Sequence, residues 1–272
     1  MAGEKTLAYL HWEKLVQSND FPQADRFYEK MKQEGQLNAE ICFVMGLWYR
    51  QHQQFGQAAD AFVQGLIIKP DSSELYYELA NTMREIGSDE GAERYYRNCL
   101  ALKPDYIDAL YGLGQVLALM EKNEEAAEYF CKALDKASSV QEMIAIAVEL
   151  SALGMVDQAI HIYFMGLLQE PDNYYLYSNI GIELAEQREF ADAVFCHEKA
   201  LQMDENNADL WYNAACTYSL MGEAMRGLLA LEKSIQLDDE NRNYAMQDPE
   251  LEFLQKHKRF WKLVKADKEY ET

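Results

Sequence analysis

Apolar and polar positions along this chain follow a helical period, and the helices they predict come in pairs. The stretch ALYGLGQVLALMEKNEEAAEYFCKAL, residues 109–134, reads as two helices broken at Lys122 and Asn123. Gly112 and Gly114 fall inside the first, where each costs about 1 kcal/mol relative to alanine. Both therefore call for a packing reason.

That reason emerges when the chain is phased on its prolines: KPD at 69–71, KPD at 103–105 and EPD at 170–172. Units then begin at Ala39, Ser73, Ile107, Val140, Tyr174 and Ala208, with spacings of 34, 34, 33, 34 and 34 residues. The eighth position of each is Gly46, Ala80, Gly114, Ala147, Gly181 and Ala215. The twentieth is Ala58, Ala92, Ala126, Ala159, Ala193 and Gly227, and the twenty-seventh is Gly65, Cys99, Ala133, Gly166, Ala200 and Ser234. All are small. Large residues fill the fourth position (Cys42, Tyr76, Leu110, Met143, Tyr177, Trp211) and the twenty-fourth (Phe62, Tyr96, Phe130, Tyr163, His197, Leu231), Cys42 being the exception. Small residues at a crossing let two antiparallel helices approach, and bulky neighbours fill the flanks. Gly114 is expected at such a crossing.

In period and in small/large placement the pattern resembles the tetratricopeptide repeat. The resemblance covers residues 39–242 as six repeats and implies an all-α, right-handed superhelical solenoid of helix–turn–helix units. An upstream segment, residues 1–38, fits a degenerate helical pair: Ala24 and Tyr28 fall on the small and aromatic places, whereas His11 and Trp12 depart from the pattern. Residues 243–272 read as C-terminal capping helices. Asp248 is a candidate N-cap with Pro249 in the first turn. Leu251, Leu254, Phe260, Trp261, Leu263 and Val264 are expected to cover the last repeat, with Lys256, Lys258, Arg259 and Lys262 facing water.

Charge narrows the partners. Of 25 Lys/Arg and 46 Asp/Glu, residues 39–242 hold 14 and 34, a field that repels nucleic acid and anionic membranes. The sequence contains no run of 18 apolar residues, and its N-terminus lacks a basic start followed by an apolar block. A cytoplasmic protein without membrane insertion is expected. The five cysteines show no CxxC spacing and read as small buried residues.

Catalytic signatures are missing from the sequence. His11, His52, His161, His197 and His257 are scattered, without HExxH or paired Cys/His spacing, and GxSxG and phosphate-loop patterns do not occur. His197 stands where other repeats place an aromatic, so it is assigned to the core. Neither enzyme activity nor a cofactor or metal is expected.

Function is then sought on a surface. In the first helix of each repeat, positions 4, 7, 8 and 11 form the packing stripe, and positions 2, 5, 6, 9, 12 and 13 lie opposite. The resemblance implies that this second stripe lines the inside of the superhelix. Position 5 reads Phe43, Tyr77, Tyr111, Ile144, Ser178 and Tyr212, with Tyr9 in the same register upstream. Position 2 gives Glu40, Glu74, Asp108, Gln141, Tyr175 and Asp209, and position 6 includes Gly112, Asn179 and Asn213. The candidate groove comprises Tyr9, Glu40, Phe43, Glu74, Tyr77, Asp108, Tyr111, Gly112, Tyr175, Asn179, Tyr212 and Asn213. Aromatic faces would take apolar side chains, and acids would take Lys or Arg. Gly112 either lets a ligand backbone come close or makes room for a neighbour.

Family members that clamp acidic chaperone tails use Lys and Asn at positions 5 and 9, Asn at 6 of the next repeat, and Lys and Arg at 2 and 6 of a third. Here Asn179 and Asn213 meet the middle requirement alone, Ile144 and Val148 precede them, and Asp209 replaces the lysine. That partner is excluded. The expectation is a non-enzymatic protein-interaction scaffold whose partner segment carries apolar and basic residues. The alternative is a cytoplasmic holding chaperone, similar to the repeat chaperones of secretion systems.

Overall fold

The computed structural model describes residue 14 and residues 21–265, and among these all regular structure is helical. Two compact units divide the chain, Met1–Lys136 and Ala137–Thr272. The first contains α1 (Phe21–Gln33), α2 (Ala39–Gln51), α3 (Phe55–Ile68), α4 (Ser73–Ile86), α5 (Asp89–Leu102), α6 (Ile107–Leu119) and α7 (Asn123–Leu134). The second contains α8 (Val140–Ala152), α9 (Val156–Gln169), α10 (Tyr174–Glu186), α11 (Phe190–Met203), α12 (Ala208–Leu220) and α13 (Ala224–Leu237). Three short helices follow: α14 (Asn241–Ala245), α15 (Glu252–Gln255) and α16 (Lys258–Val264). Within each unit, successive helices from α2 to α7 and from α8 to α13 pack as consecutive hairpins.

The local chemistry of each hairpin repeats. Asn38, Ser72, Ser139, Asn173 and Asn207 cap the first helix, each accepting a hydrogen bond from a backbone N–H of the first turn. Helix α6 lacks a capping side chain at Tyr106, whose ring instead lies 5.0 Å from that of Tyr77. Each first helix then ends on a residue with positive φ at position 15: Gln53, Gly87, Glu121, Gly154, Arg188 and Gly222. The next N–H returns to the carbonyl five residues back, as from Gln54 to Tyr49 and from Lys122 to Leu117. This closing bond is what turns the chain into the second helix.

All eighteen small residues at positions 8, 20 and 27 are buried. A Cβ added to Gly114 would stand 2.7 Å from the Phe130 ring, and one on Gly181 would stand 2.6 Å from His197. Position 8 therefore meets position 24 across each of these hairpins, and Gly46 meets Phe62 in the same way. Gly112 has a different neighbour. Its missing Cβ would lie 2.7 Å from both Cζ and the hydroxyl oxygen of Tyr96, a buried residue of the preceding repeat. The space beside the glycine is taken by Tyr96, so of the two roles its position offered, it makes room for a neighbour.

The ends are covered differently. Ala24, Tyr28 and Met31 of α1 are buried in the cluster that contains Ile41, Cys42 and Met45, with the Tyr28 and Tyr49 rings 6.1 Å apart. His11 and Trp12 lie outside the described residues. At the other end Leu251, Leu254, Phe260 and Val264 are buried against the last repeat, and Leu254 sits on Gly227. Asp248 caps the turn at Pro249–Leu251 and accepts a 2.8 Å hydrogen bond from the Tyr212 hydroxyl. Trp261, expected in the lid, is exposed, and its indole N–H donates to the Gln255 carbonyl. Arg259 and Lys256 pair with Glu232 and Glu252 at 2.6 and 2.9 Å, so part of the basic cluster is already occupied.

The positive-φ sites carry a prediction. Gln53, Glu121 and Arg188 are exposed and hold a conformation that costs a non-glycine residue roughly 1–2 kcal/mol, against a glycine entropy cost of about 0.5–1. Replacing each with Gly is expected to raise stability by about 0.5–1 kcal/mol in urea denaturation, while Gly87→Gln lowers it.

Candidate functional site

The sequence-predicted wall is most complete in the first unit. Phe43, Tyr77 and Tyr111 are each half-buried at position 5. Each ring rests on the position-24 ring of its own hairpin: Phe43 on Phe62 at 6.2 Å, Tyr77 on Tyr96 at 6.1 Å, Tyr111 on Phe130 at 5.7 Å. The core thus fixes the rings while leaving part of each in solvent. Burial pushes the Tyr77 hydroxyl above the ordinary phenol range.

Glu40, Glu74 and Asp108 are exposed in the first turns of α2, α4 and α6. There they also complement the helix macrodipole. The Glu74 carboxylate accepts from the Ser72 hydroxyl at 3.0 Å, and backbone hydrogen bonding holds it below the usual carboxylate range. Tyr9 lies outside the described residues.

The groove itself sits nearer the other end of the same helices. An open hollow of about 990 Å³ is lined by Leu47, Arg50, Gln51, Asn81, Arg84 and Leu119, among others. These are positions 9, 12 and 13 of the first three repeats, on the stripe opposite the packing face. Their stripe is identifiable in the sequence, but its aromatic and acidic side chains at positions 2, 5 and 6 are more conspicuous there than the arginines at position 12. On the floor Arg50 meets Glu78 at 2.8 Å, and burial raises the Glu78 carboxyl while Arg50 draws it down. The Tyr96 hydroxyl donates to Asn81 Oδ1 at 2.5 Å and accepts from Arg84 at 3.5 Å. The room left by Gly112 is what that hydroxyl occupies.

In the second unit the candidates do not form one wall. Tyr175 is exposed, its ring 4.2 Å from that of Tyr174, and with Gln141 it lines a separate hollow of about 590 Å³. Asn179 is half-buried. Tyr212 is tied to Asp248 of the lid, and the Asn213 amide donates to the Ser178 hydroxyl at 3.1 Å. These bonds give Tyr212 and Asn213 structural partners within their own unit, and both residues remain half-buried.

His197 is buried on Gly181, with Nε2 2.9 Å from the Thr217 hydroxyl. Burial depresses its pKa to about 4, so the ring is neutral at pH 7. Among the described residues, no group of three or more His, Cys, Asp or Glu could hold a metal ion, and no helix is long and apolar enough to cross a membrane.

Consecutive hairpins with small residues at their crossings define a helical-repeat protein. Sequence profiles described as tetratricopeptide repeat match residues 73–106, 107–135 and 198–228, the first two in phase with the second and third hairpins. The chain thus contains tetratricopeptide repeats, a fold that generally serves as a non-enzymatic scaffold for protein–protein interaction. A search of curated proteins finds no match. Solved structures agree on the fold. A tetratricopeptide repeat protein from Parabacteroides merdae aligns with a TM-score of 0.60 at 19% identity, over 91% of this chain and 97% of its own. The C-terminal part of a repeat-containing protein from Cytophaga hutchinsonii gives 0.69 at 14%, over 86% and 96%. YrrB, described as a tetratricopeptide-repeat protein with an unusual peptide-binding site, gives 0.51 at 23%, over 70% and 100%.

His197 makes a pH prediction. Below pH 6.5 the unfolded chain binds a proton that the folded chain refuses until about pH 4, so stability falls as pH drops through that window, by up to about 3 kcal/mol. His197→Phe restores the Gly/Phe pairing of the first and third repeats. Urea titrations from pH 4 to 7 are expected to show a markedly flatter slope for this variant.

Proposed function

We propose that the six repeats across residues 39–242, with the helical pair 1–38 before them and the capping helices 243–272 after, act as a cytoplasmic, non-enzymatic interaction scaffold. Its partner presents an extended or helical segment to the α2/α4/α6 face of the first unit. The observation that carries this reading is the series Phe43, Tyr77 and Tyr111. Their rings recur in each of the three repeats of the first unit, are clamped from below by Phe62, Tyr96 and Phe130, and stand on the same stripe as an open groove. Rigid, half-exposed aromatics supply contact area at low entropic cost and commonly dominate binding energy. Glu40, Glu74 and Asp108 along the edge favour Lys or Arg on the partner and steer its approach.

Alanine at Tyr77 or Tyr111 is expected to weaken binding of an isolated partner by about 1–3 kcal/mol, measured by calorimetry alongside circular dichroism. Asp108→Lys should mainly slow association and reduce its salt dependence, because an exposed charge steers more than it holds. Wild-type affinity in both tyrosine variants, with normal helix content, would move the site elsewhere. The exposed side chains of α9 (Phe164, Leu168) would be the next candidates.

A further inference from the structure

Resting on that reading, we propose that the groove floor receives a carboxylate from the bound segment, with Arg84 as its receptor and Arg50 at its side. The two arginines of the floor are partnered unequally. Arg50 and Arg84 both line the hollow, and the carboxylate beneath them, Glu78, is 2.8 Å from Arg50. Glu85 and Asp89 also line the hollow, yet among the described residues no carboxylate stands within ion-pair distance of Arg84. Its nearest polar partner in the floor is the Tyr96 hydroxyl at 3.5 Å, a long bond for a guanidinium with five donors. A half-buried cation so poorly compensated gains most from a fork-on-carboxylate contact.

The surroundings suit such a ligand. Tyr96 is buried, and its hydroxyl donates to Asn81 and lies 3.5 Å from Arg84, so the polar side of the floor is held by a fixed ring. Gln51 adds an amide, while Leu47 and Leu119 offer apolar contact. This arrangement differs from the family's clamp for acidic chaperone tails, which uses positions 2, 5, 6 and 9. Here both cations stand at position 12.

Position 2 carries Glu40 and Glu74, and position 12 of the same helices carries Arg50 and Arg84. Ten residues of helix separate the two rows by about 15 Å. The stripe therefore carries acids at one end, aromatics in the middle and, at the other, the two arginines among Glu78, Glu85 and Asp89. A matching extended segment places a Lys or Arg about four to five residues from a carboxylate, with apolar residues between. The carboxylate is an Asp or Glu side chain or a free C-terminus.

Selection of a displayed library of random 12-residue peptides on the full chain tests this. The expected winners carry that spacing, and a synthetic representative should bind at least tenfold more weakly to Arg84→Gln than to wild type. Changing its Asp or Glu to Asn or Gln should cost the same tenfold on wild type and nothing further on Arg84→Gln. Comparing amidated and free C-termini separates the two carboxylate sources. The substitution on the peptide leaves the protein untouched, so the result does not depend on how the variant folds. Apolar, basic peptides that lose affinity on Tyr77→Ala but ignore Arg84→Gln would overturn the carboxylate site and leave the groove standing. Selection yielding no binder, or binders indifferent to Tyr77→Ala, would overturn both.

Discussion

Contact between the eighth and the twenty-fourth residue of a hairpin sets the distance between its two helices. Gly46, Gly114 and Gly181 lie against Phe62, Phe130 and His197, and an added Cβ would have to displace the ring in each case. The other three hairpins place Ala80, Ala147 and Ala215 at position 8 and Tyr96, Tyr163 and Leu231 at position 24, all buried. Hairpins one, three and five also close on Gln53, Glu121 and Arg188 in the left-handed region, where two, four and six use glycine. Odd and even hairpins thus solve the same packing problem with two different sets of residues.

The groove inherits its geometry from this contact. The position-5 rings lie on the position-24 rings, so the core that joins the helices also orients the exposed edges. Tyr96 shows how far the coupling reaches. Its ring supports Tyr77, its hydroxyl links Asn81 and Arg84, and its end fills the space left by Gly112 in the next repeat. A helix-breaking glycine, a core tyrosine and a groove arginine are one arrangement. Larger side chains at position 112 would press first on Tyr96 and then on the floor above it.

The repeat and its crossings were legible because they depend on period and residue size, which a single chain displays. The first helices begin at Ala39, Ser73, Ile107, Val140, Tyr174 and Ala208, where the phasing put them. Gly112 was harder. A helical wheel for one repeat puts it on the inner stripe, but the side chain that covers it comes from the preceding repeat, sixteen residues earlier. Tyr212 and Asn213 illustrate the same limit, since their partners Asp248 and Ser178 belong to other elements. Glu74 looked like a groove acid and also serves its own helix end. The two arginines at position 12 stand on that inner stripe beside Glu78, Glu85 and Asp89, a local arrangement that overall composition does not display.

The central claim is that ring contact, rather than helix propensity, dictates glycine at these crossings. A double-mutant cycle between Gly114 and Phe130, followed by urea denaturation, addresses it directly. In the native background Gly114→Ala should be destabilising, because overpacking of about 1–3 kcal/mol outweighs the propensity gain of about 1. In a Phe130→Leu background, which recreates the Ala/Leu pairing of the last hairpin, the same substitution should become stabilising by about 1 kcal/mol. An effect of equal sign and size in both backgrounds would contradict the account.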